Sequence, residues 1–333
     1  MKPVLIIIKI LFAATLLVGI SGCSNALYLA QAVNGHLHLM ESRVPVKRIL
    51  KKKQLDSVSL EKLRLVLEVR DFATKELGLP KNRSYKVYSE IEGEHLGWNV
   101  YCAPKFSIEP VTWCFPIAGR VVYRGYFSKK AALKFANSME EQAYDVYISP
   151  ISAYSTLGWF SDPILSSNLK LNTIRIAGLI IHELAHQEYY LPGNSCVSES
   201  FAVTVERAGV LKWLKSTGRD SMIEVALEMW KSQDKINTIK LDTRKKLNEI
   251  YSTNLDSLTM AHKKDSIFLN LKKSINLDKN AKINNAYLIP TNTYFSLVPV
   301  FEKLLESLGG DFTLFYEKVR EPEFYQMLYD GDS

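Results

Sequence analysis

Apolar and polar positions alternate on different periods along this chain, and the period changes three times. Val4 to Ile20 is apolar almost without interruption. Residues 23–56 are mixed and read as a stalk and a first helix, with Gln31, Asn34 and Gly35 breaking the apolar pattern. Ser59 to Leu77 repeats on the helical period: Leu60, Leu63, Val66 and Leu67 share one stripe, and Gly78-Leu79-Pro80 stops it. A β-rich section follows. Tyr85 to Tyr88, Trp98 to Tyr101 and Ala118 to Phe127 carry β-branched and aromatic residues, with Pro104, Pro110 and Pro116 between them. Ser128 is placed to cap a helix running to about Gln142, and Tyr144 to Ile148 alternates as a strand that ends at Pro150.

From about residue 172 the pattern is helical almost throughout. Asn172 is a cap candidate for a helix over Ile174–Tyr189, Pro192-Gly193-Asn194 makes a turn, and a second helix runs from Val197 to about Lys215. Two or three long polar helices fill 219–276. Asn284-Asn285 and Pro290 mark a loop, and a final pair of helices covers Tyr294–Leu308 and Asp311–Val319, split by Gly309-Gly310. A mixed first half feeding a helical second half predicts an α+β fold with a cleft between two lobes. The division expected is 1–22 leader, 23–56 stalk and first helix, 57–171 mixed α/β lobe and 172–333 helical lobe.

The first apolar run changes the compartment. It is too short and ends too small for a stable span, so it reads as a secretory signal. Ile20-Ser21-Gly22-Cys23 resembles the lipobox of bacterial lipoproteins, in which the chain is cut before the cysteine and that cysteine is acylated. The resemblance implies a lipid-anchored envelope protein, and Ser24 in place of aspartate favours the outer membrane, facing the periplasm. Lys2 and Lys9 leave with the signal, lowering the net charge from +7 to +5 over 311 residues, enough chain for a large core. No dense arginine cluster is interleaved with aromatics, which argues against nucleic-acid binding. Outside the cytoplasm Cys102 and Cys114 could pair or stay free thiols, and Cys196 lies between the segments described next.

The chemistry is concentrated in His182-Glu183-Leu184-Ala185-His186. Two histidines four residues apart fall on one helical face, about 400° of rotation on, so both imidazoles can reach one metal ion. Six histidines in the whole chain make a chance match rare, and this one sits in a helix whose Ile176, Ala177, Ile180, Ile181 and Leu184 form a buried face. The glutamate after the first histidine is where a zinc peptidase keeps its general base. Catalytic zinc takes three protein ligands and leaves one position for water. Glu199, separated from His186 by the twelve residues 187–198 and placed in the first turn of the next helix, is the third-ligand candidate, although an acid there also suits the helix dipole. Glu188 points off the wrong side of its helix, and Glu206 lies two turns beyond Glu199.

These segments carry a resemblance. His182-Glu183-Leu184-Ala185-His186 with Ser198-Glu199-Ser200-Phe201-Ala202 looks like the gluzincin metallopeptidases, and the second stretch is similar to the Asn-Glu-Gly-Phe-Ala of the aminopeptidase-N type. Over nearly the whole mature chain the sequence resembles a bacterial family of predicted aminopeptidases carried as lipoproteins. Its landmarks are Thr112-Trp113-Cys114-Phe115-Pro116, Tyr123-Arg124-Gly125-Tyr126-Phe127, Ala153 to Phe160, Asn284-Asn285-Ala286 and Leu297-Val298-Pro299. The resemblance implies a Zn2+ aminopeptidase of peptides or proteins. Three departures stand out: Ser198 replaces asparagine, the spacer of twelve is short, and the Gly-x-Met-x-Asn segment that holds a substrate amine is absent.

The mechanism expected is hydrolysis by a zinc-bound water of pKa about 7, with Glu183 as general base and His182, His186 and Glu199 as ligands. Tyr294 is the candidate to stabilise the oxyanion. Tyr154 to Phe160 is expected to offer an exposed strand edge to the peptide, with Tyr123, Arg124 and Tyr154 as substrate contacts; Glu90, Glu92, Glu94 and Glu109 are the acids available to read an amine. Two alternatives stay open: a zinc endopeptidase of envelope proteins, and a non-catalytic zinc lipoprotein whose site Cys196 would close.

Overall fold

A computed structural model describes residues 23–115, 119–151 and 154–330. The leader, 1–22, lies outside the described residues. In chain order the elements are α1 (Cys23–Glu41), β1 (Val44–Pro45), α2 (Val46–Lys52), α3 (Ser57–Glu76), β2 (Val87–Ser89), β3 (Gly97–Pro104), β4 (Trp113–Phe115), β5 (Gly119–Val121), β6 (Tyr123–Tyr126), α4 (Lys129–Glu141), β7 (Tyr144–Ile151) and β8 (Pro163–Leu165). Then come α5 (Thr173–Glu188), α6 (Ser195–Ser216), α7 (Ser221–Tyr251), α8 (Ser257–Ser274), α9 (Ile289–Phe295), α10 (Val298–Ser307), α11 (Phe312–Lys318) and α12 (Pro322–Asp330). The chain is mixed α/β and mostly helical, with small sheets.

The caps fall where short polar side chains precede apolar periodicity. Asp56 accepts from Ser59 N, Ser128 from Ala131 N, Asn172 from Arg175 N and Asn194 from Val197 N. Helices α3, α5 and α6 share one core with the C-terminal helices. Leu63, Val66, Val69, Ile176, Ala177, Ile180, Ile181, Phe201, Phe301 and Phe315 are all fully buried in it. Phe201 stacks on Phe315 at 5.5 Å and 4°.

The larger antiparallel sheet has the order β6-β3-β7. Its two faces do different work. Val100 and Cys102 pack on Ala132 and Ala136 of α4, while Tyr101 and Ala103 face Ala286 and Ile289. A second sheet, β1-β2-β8, pairs β2 with β8 in parallel from Val87↔Pro163 to Ser89↔Leu165. The apolar pattern did not announce β8, a three-residue strand opened by a proline.

Of the two options left open for Cys102 and Cys114, the structure has free thiols, Cys102 buried and Cys114 exposed. Other expectations need correction. Strand β7 does not stop at Pro150 but pairs Pro150 with Trp98 and ends at Ile151. An edge strand tolerates the missing N–H of proline. The expected helix over Tyr294–Leu308 is broken between Phe295 and Val298, because Pro299 occupies the first turn of a new helix, α10. The segment Tyr154–Phe160 is no strand. Leu157 (φ +53) and Gly158 (φ +82) turn it, and left-handed residues cannot continue a pleated edge.

Candidate metal centre

Helices α5 and α6 form a hairpin through the turn at Pro192-Gly193. Its geometry is held at the turn by Ser198, whose Oγ accepts from Leu191 N (3.0 Å) and bonds Asn194 O (3.0 Å). Asn194 is the cap of α6. Gly119 of the β4–β5 hairpin rests against this turn so closely that a Cβ would lie 2.7 Å from Gly193 N.

The hairpin brings His182, His186 and Glu199 together. His182 Nε2 and His186 Nε2 each lie 3.2 Å from the same Glu199 Oε2. The ligand atoms all lie within 4.8 Å of one another, and among the described residues these three form the one group able to hold a metal ion. Burial opposes ionisation of Glu199, but the charge of His186 and the hydrogen bonds from both histidines outweigh it and hold the carboxyl down at about 2. Burial also pushes His182 down; its hydrogen bonds to Glu199 and Glu206 prevail and leave it well above the usual histidine range.

Glu206 is the residue that sequence reading set aside. His182 Nδ1 donates to Glu206 Oε2 at 3.0 Å, which directs Nε2 at Glu199. Glu206 stands seven residues after Glu199, about two helical turns on and therefore on the same face. Room for it comes from Gly178, one turn before His182, where a Cβ would lie 2.7 Å from Glu206 Oε1. A glycine inside the apolar helix and an acid at that spacing were the signals available. His186 Nδ1 is buried without a hydrogen-bond partner.

The cluster opens on a cavity of about 920 Å³. Glu183, on the face next to the ligands, lines it, as do Tyr123, Tyr154 and Tyr294. Tyr294 stacks on the His182 ring at 6.3 Å and 22°. The charge of Glu199, then burial, raises its phenol well above the ordinary tyrosine range, so it stays a proton donor. Tyr123 is raised by burial first and then by Glu199. Tyr154 Oη is hydrogen-bonded to His36 Nδ1 (2.7 Å), a residue of α1 that also lines the cavity.

Arg124 is not brought to the centre. Adjacent strand residues point to opposite faces: Tyr123 faces the cavity, whereas the Arg124 guanidinium lies 4.0 Å over the Tyr28 ring and 4.8 Å over Phe135. The basic side chain that lines the cavity is Arg175, seven residues before His182 and on its helix face. The carboxylates that line it are Glu183, Glu199 and Glu206; Glu90, Glu92, Glu94 and Glu109 do not. Cys196 Sγ lies 3.9 Å from Asn292 O and is not part of the cluster.

The metal helix is also tied to the turn over the cavity. Gln187 accepts from Asn82 Nδ2 (2.5 Å) and donates to Ser84 Oγ (3.3 Å), and Asp162 accepts from Thr156 N and Oγ1. Burial pushes the Asp162 carboxyl up to about 6.

A family model described as "Putative aminopeptidase" matches residues 27–325 of the chain. No curated protein and no solved structure matches it.

Proposed function

The chain belongs to this family of putative aminopeptidases, and from that premise we propose that it is a zinc-dependent aminopeptidase of gluzincin type. The observation that carries the reading is the convergence, on one wall of a large cleft, of two histidine nitrogens, one carboxylate and the adjacent Glu183. The donor set suits zinc. Ligand distances near 2.0–2.2 Å at tetrahedral angles set neighbouring donors about 3.3 Å apart, and both His–Glu separations here are 3.2 Å. No fourth protein ligand joins the group among the described residues, which favours a catalytic over a structural site.

His182, His186 and Glu199 would hold the zinc, which supplies a Lewis acid and lowers the pKa of a water to about 7. Glu206 keeps the His182 ring oriented by accepting from Nδ1. Glu183 takes the proton of the attacking water and delivers it to the leaving amine. Tyr294, its phenol held protonated, donates to the carbonyl oxygen as negative charge develops there, a contribution of about 3 kcal/mol for donors of this kind. Tyr123 and Tyr154 line the space for the peptide, and Arg175 offers the cation for a substrate carboxylate.

Location is part of the proposal. Cys23, acylated after removal of residues 1–22, would anchor the enzyme to the bacterial envelope, at the outer membrane and facing the periplasm. What supports this is the Ile20-Ser21-Gly22-Cys23 pattern.

The test is zinc content together with cleavage of a mixed peptide library bearing free or acetylated N-termini. One zinc per chain and cleavage confined to free N-termini are expected. Equal cleavage of acetylated peptides would replace the aminopeptidase by the endopeptidase reading, and a chain that takes up no metal or cleaves nothing would overturn both.

A further inference from the structure

We infer that one face of this protein docks on an anionic lipid bilayer and sets the mouth of the cleft at the membrane surface. The face begins with α1. From Cys23 to Met40 this helix contains no Lys, Arg, Asp or Glu. Its inner side, Tyr28, Ala32 and His36, walls the cavity, while Val33 (56% exposed) and Leu37 (52%) point to solvent. A surface helix ordinarily turns charge outward, and exposed apolar stripes mark an interaction surface.

The stripe continues into the turn over the cavity. Trp159 is 69% exposed and Phe160 51%, and both also line the cavity. The Phe160 ring meets His36 edge-on at 4.7 Å, so turn and helix adjoin. Arg43 Nη1 donates to Ser161 O (2.8 Å), which joins the start of a basic segment to the same turn. Between Ser42 and Leu55 stand Arg43, Lys47, Arg48, Lys51, Lys52 and Lys53 with no acid among them; all but Arg43 are exposed, and none makes an ion pair with a described residue.

Apolar side chains with an exposed tryptophan, bordered by unpaired lysines, suit the interface of a bilayer rather than a protein groove. Each cation near an anionic surface adds to the attraction, whereas a second copy of the chain would bring the same positive charge. Among the described residues no helix is long and apolar enough to cross a membrane; in the proposed docking α1 rests on the bilayer surface. Acylation at Cys23 would tether the chain without deciding which face turns down, so the two ideas separate.

The experiment uses the full chain on phosphatidylcholine vesicles with and without about 30% phosphatidylglycerol, their acyl chains brominated. The difference in quenching between parent and Trp159→Phe reports the depth of Trp159 alone. Quenching of that component, stronger in the anionic vesicles, is expected. Reversing Lys47, Arg48, Lys51 and Lys52 to Glu should lower it about tenfold or more at low salt, and Val33→Ser with Leu37→Ser should lower it without touching a buried residue. An unquenched Trp159 component, equal quenching with and without anionic lipid, or self-association of the chain through this face in place of quenching would overturn the inference.

Discussion

The two walls of the cleft are built differently. The metal wall is one hairpin, α5 and α6, whose ligands lie within eighteen residues and whose support is a core with Ile176, Ile180, Ile181, Leu184, Phe201 and Ala202 at zero exposure. The facing wall is gathered from α1, the paired strands β6, β3 and β7, and the Tyr154–Phe160 turn; Tyr101 and Tyr126 are buried in its sheet, whereas Tyr154 is half-buried and α1 meets the turn through the single His36–Tyr154 hydrogen bond and the His36–Phe160 ring contact. Close-packed apolar side chains resist displacement in every direction, whereas one part-buried hydrogen bond contributes only about 1 kcal/mol. On the reading proposed above, the contrast suggests a division of labour: the hairpin would carry the chemistry, and the facing wall, where α1 meets the turn, would contact the substrate.

That division is open to attack. The largest effect belongs to Glu183→Gln, which should leave one zinc per chain and lower turnover by about 10²–10⁴-fold; metal analysis beside single-turnover kinetics measures both. A variant as active as the parent would remove the chemistry from this wall. Next, Tyr294→Phe should cut kcat by about 10²-fold with KM little changed, as for loss of a transition-state donor. A change confined to KM would move Tyr294 to the substrate-selecting side.

Glu206→Gln should weaken zinc binding by about 10–100-fold, read by competition with a chelator. The same pair predicts a pH dependence. In the metal-free chain the hydrogen bonds to Glu199 and Glu206 hold His182 well above its usual range, so a zinc ion binding there would compete with a proton. Calorimetry in buffers of different ionisation enthalpy should count about one proton released at pH 7 in the parent and fewer in Glu206→Gln. Because the folded pKa is raised, charged His182 stabilises the metal-free chain fully below about pH 6.5. That stabilisation is lost as pH rises through the folded value, whereas metal binding strengthens over the same rise.

The smallest effect is Tyr154→Phe, which removes the bond to His36. It should alter KM a few-fold, about 1 kcal/mol, and leave zinc affinity unchanged. Loss of metal here would show that the two walls are not independent.

Legibility in the sequence followed the same division. The caps at Asn172 and Ser128, the stripe of α3 and the hairpin around Pro192-Gly193 are local, each set by residues within a turn or two of one another. The grouping of His182, His186 and Glu199 could be read for that reason. The assignment of Arg124 to the substrate could not survive, because strand alternation turns it into the aromatic cluster at Tyr28 and Phe135. Nor could the proposed peptide-binding edge, since the positive φ of Leu157 and Gly158 depends on what Thr156, Asp162 and Gln187 hold in place around them.

By itself the sequence determined that His182 and His186 share one helical face, because a helix places residues four apart together whatever surrounds it. Only the tertiary structure decided that Glu206 orients His182, that Arg175 rather than Arg124 meets the cleft, and that α1 walls one side of it while turning Val33 and Leu37 outward. Those outcomes depend on which distant segments pack together, and packing is settled by the total apolar surface buried, not by the spacing of residues along one element.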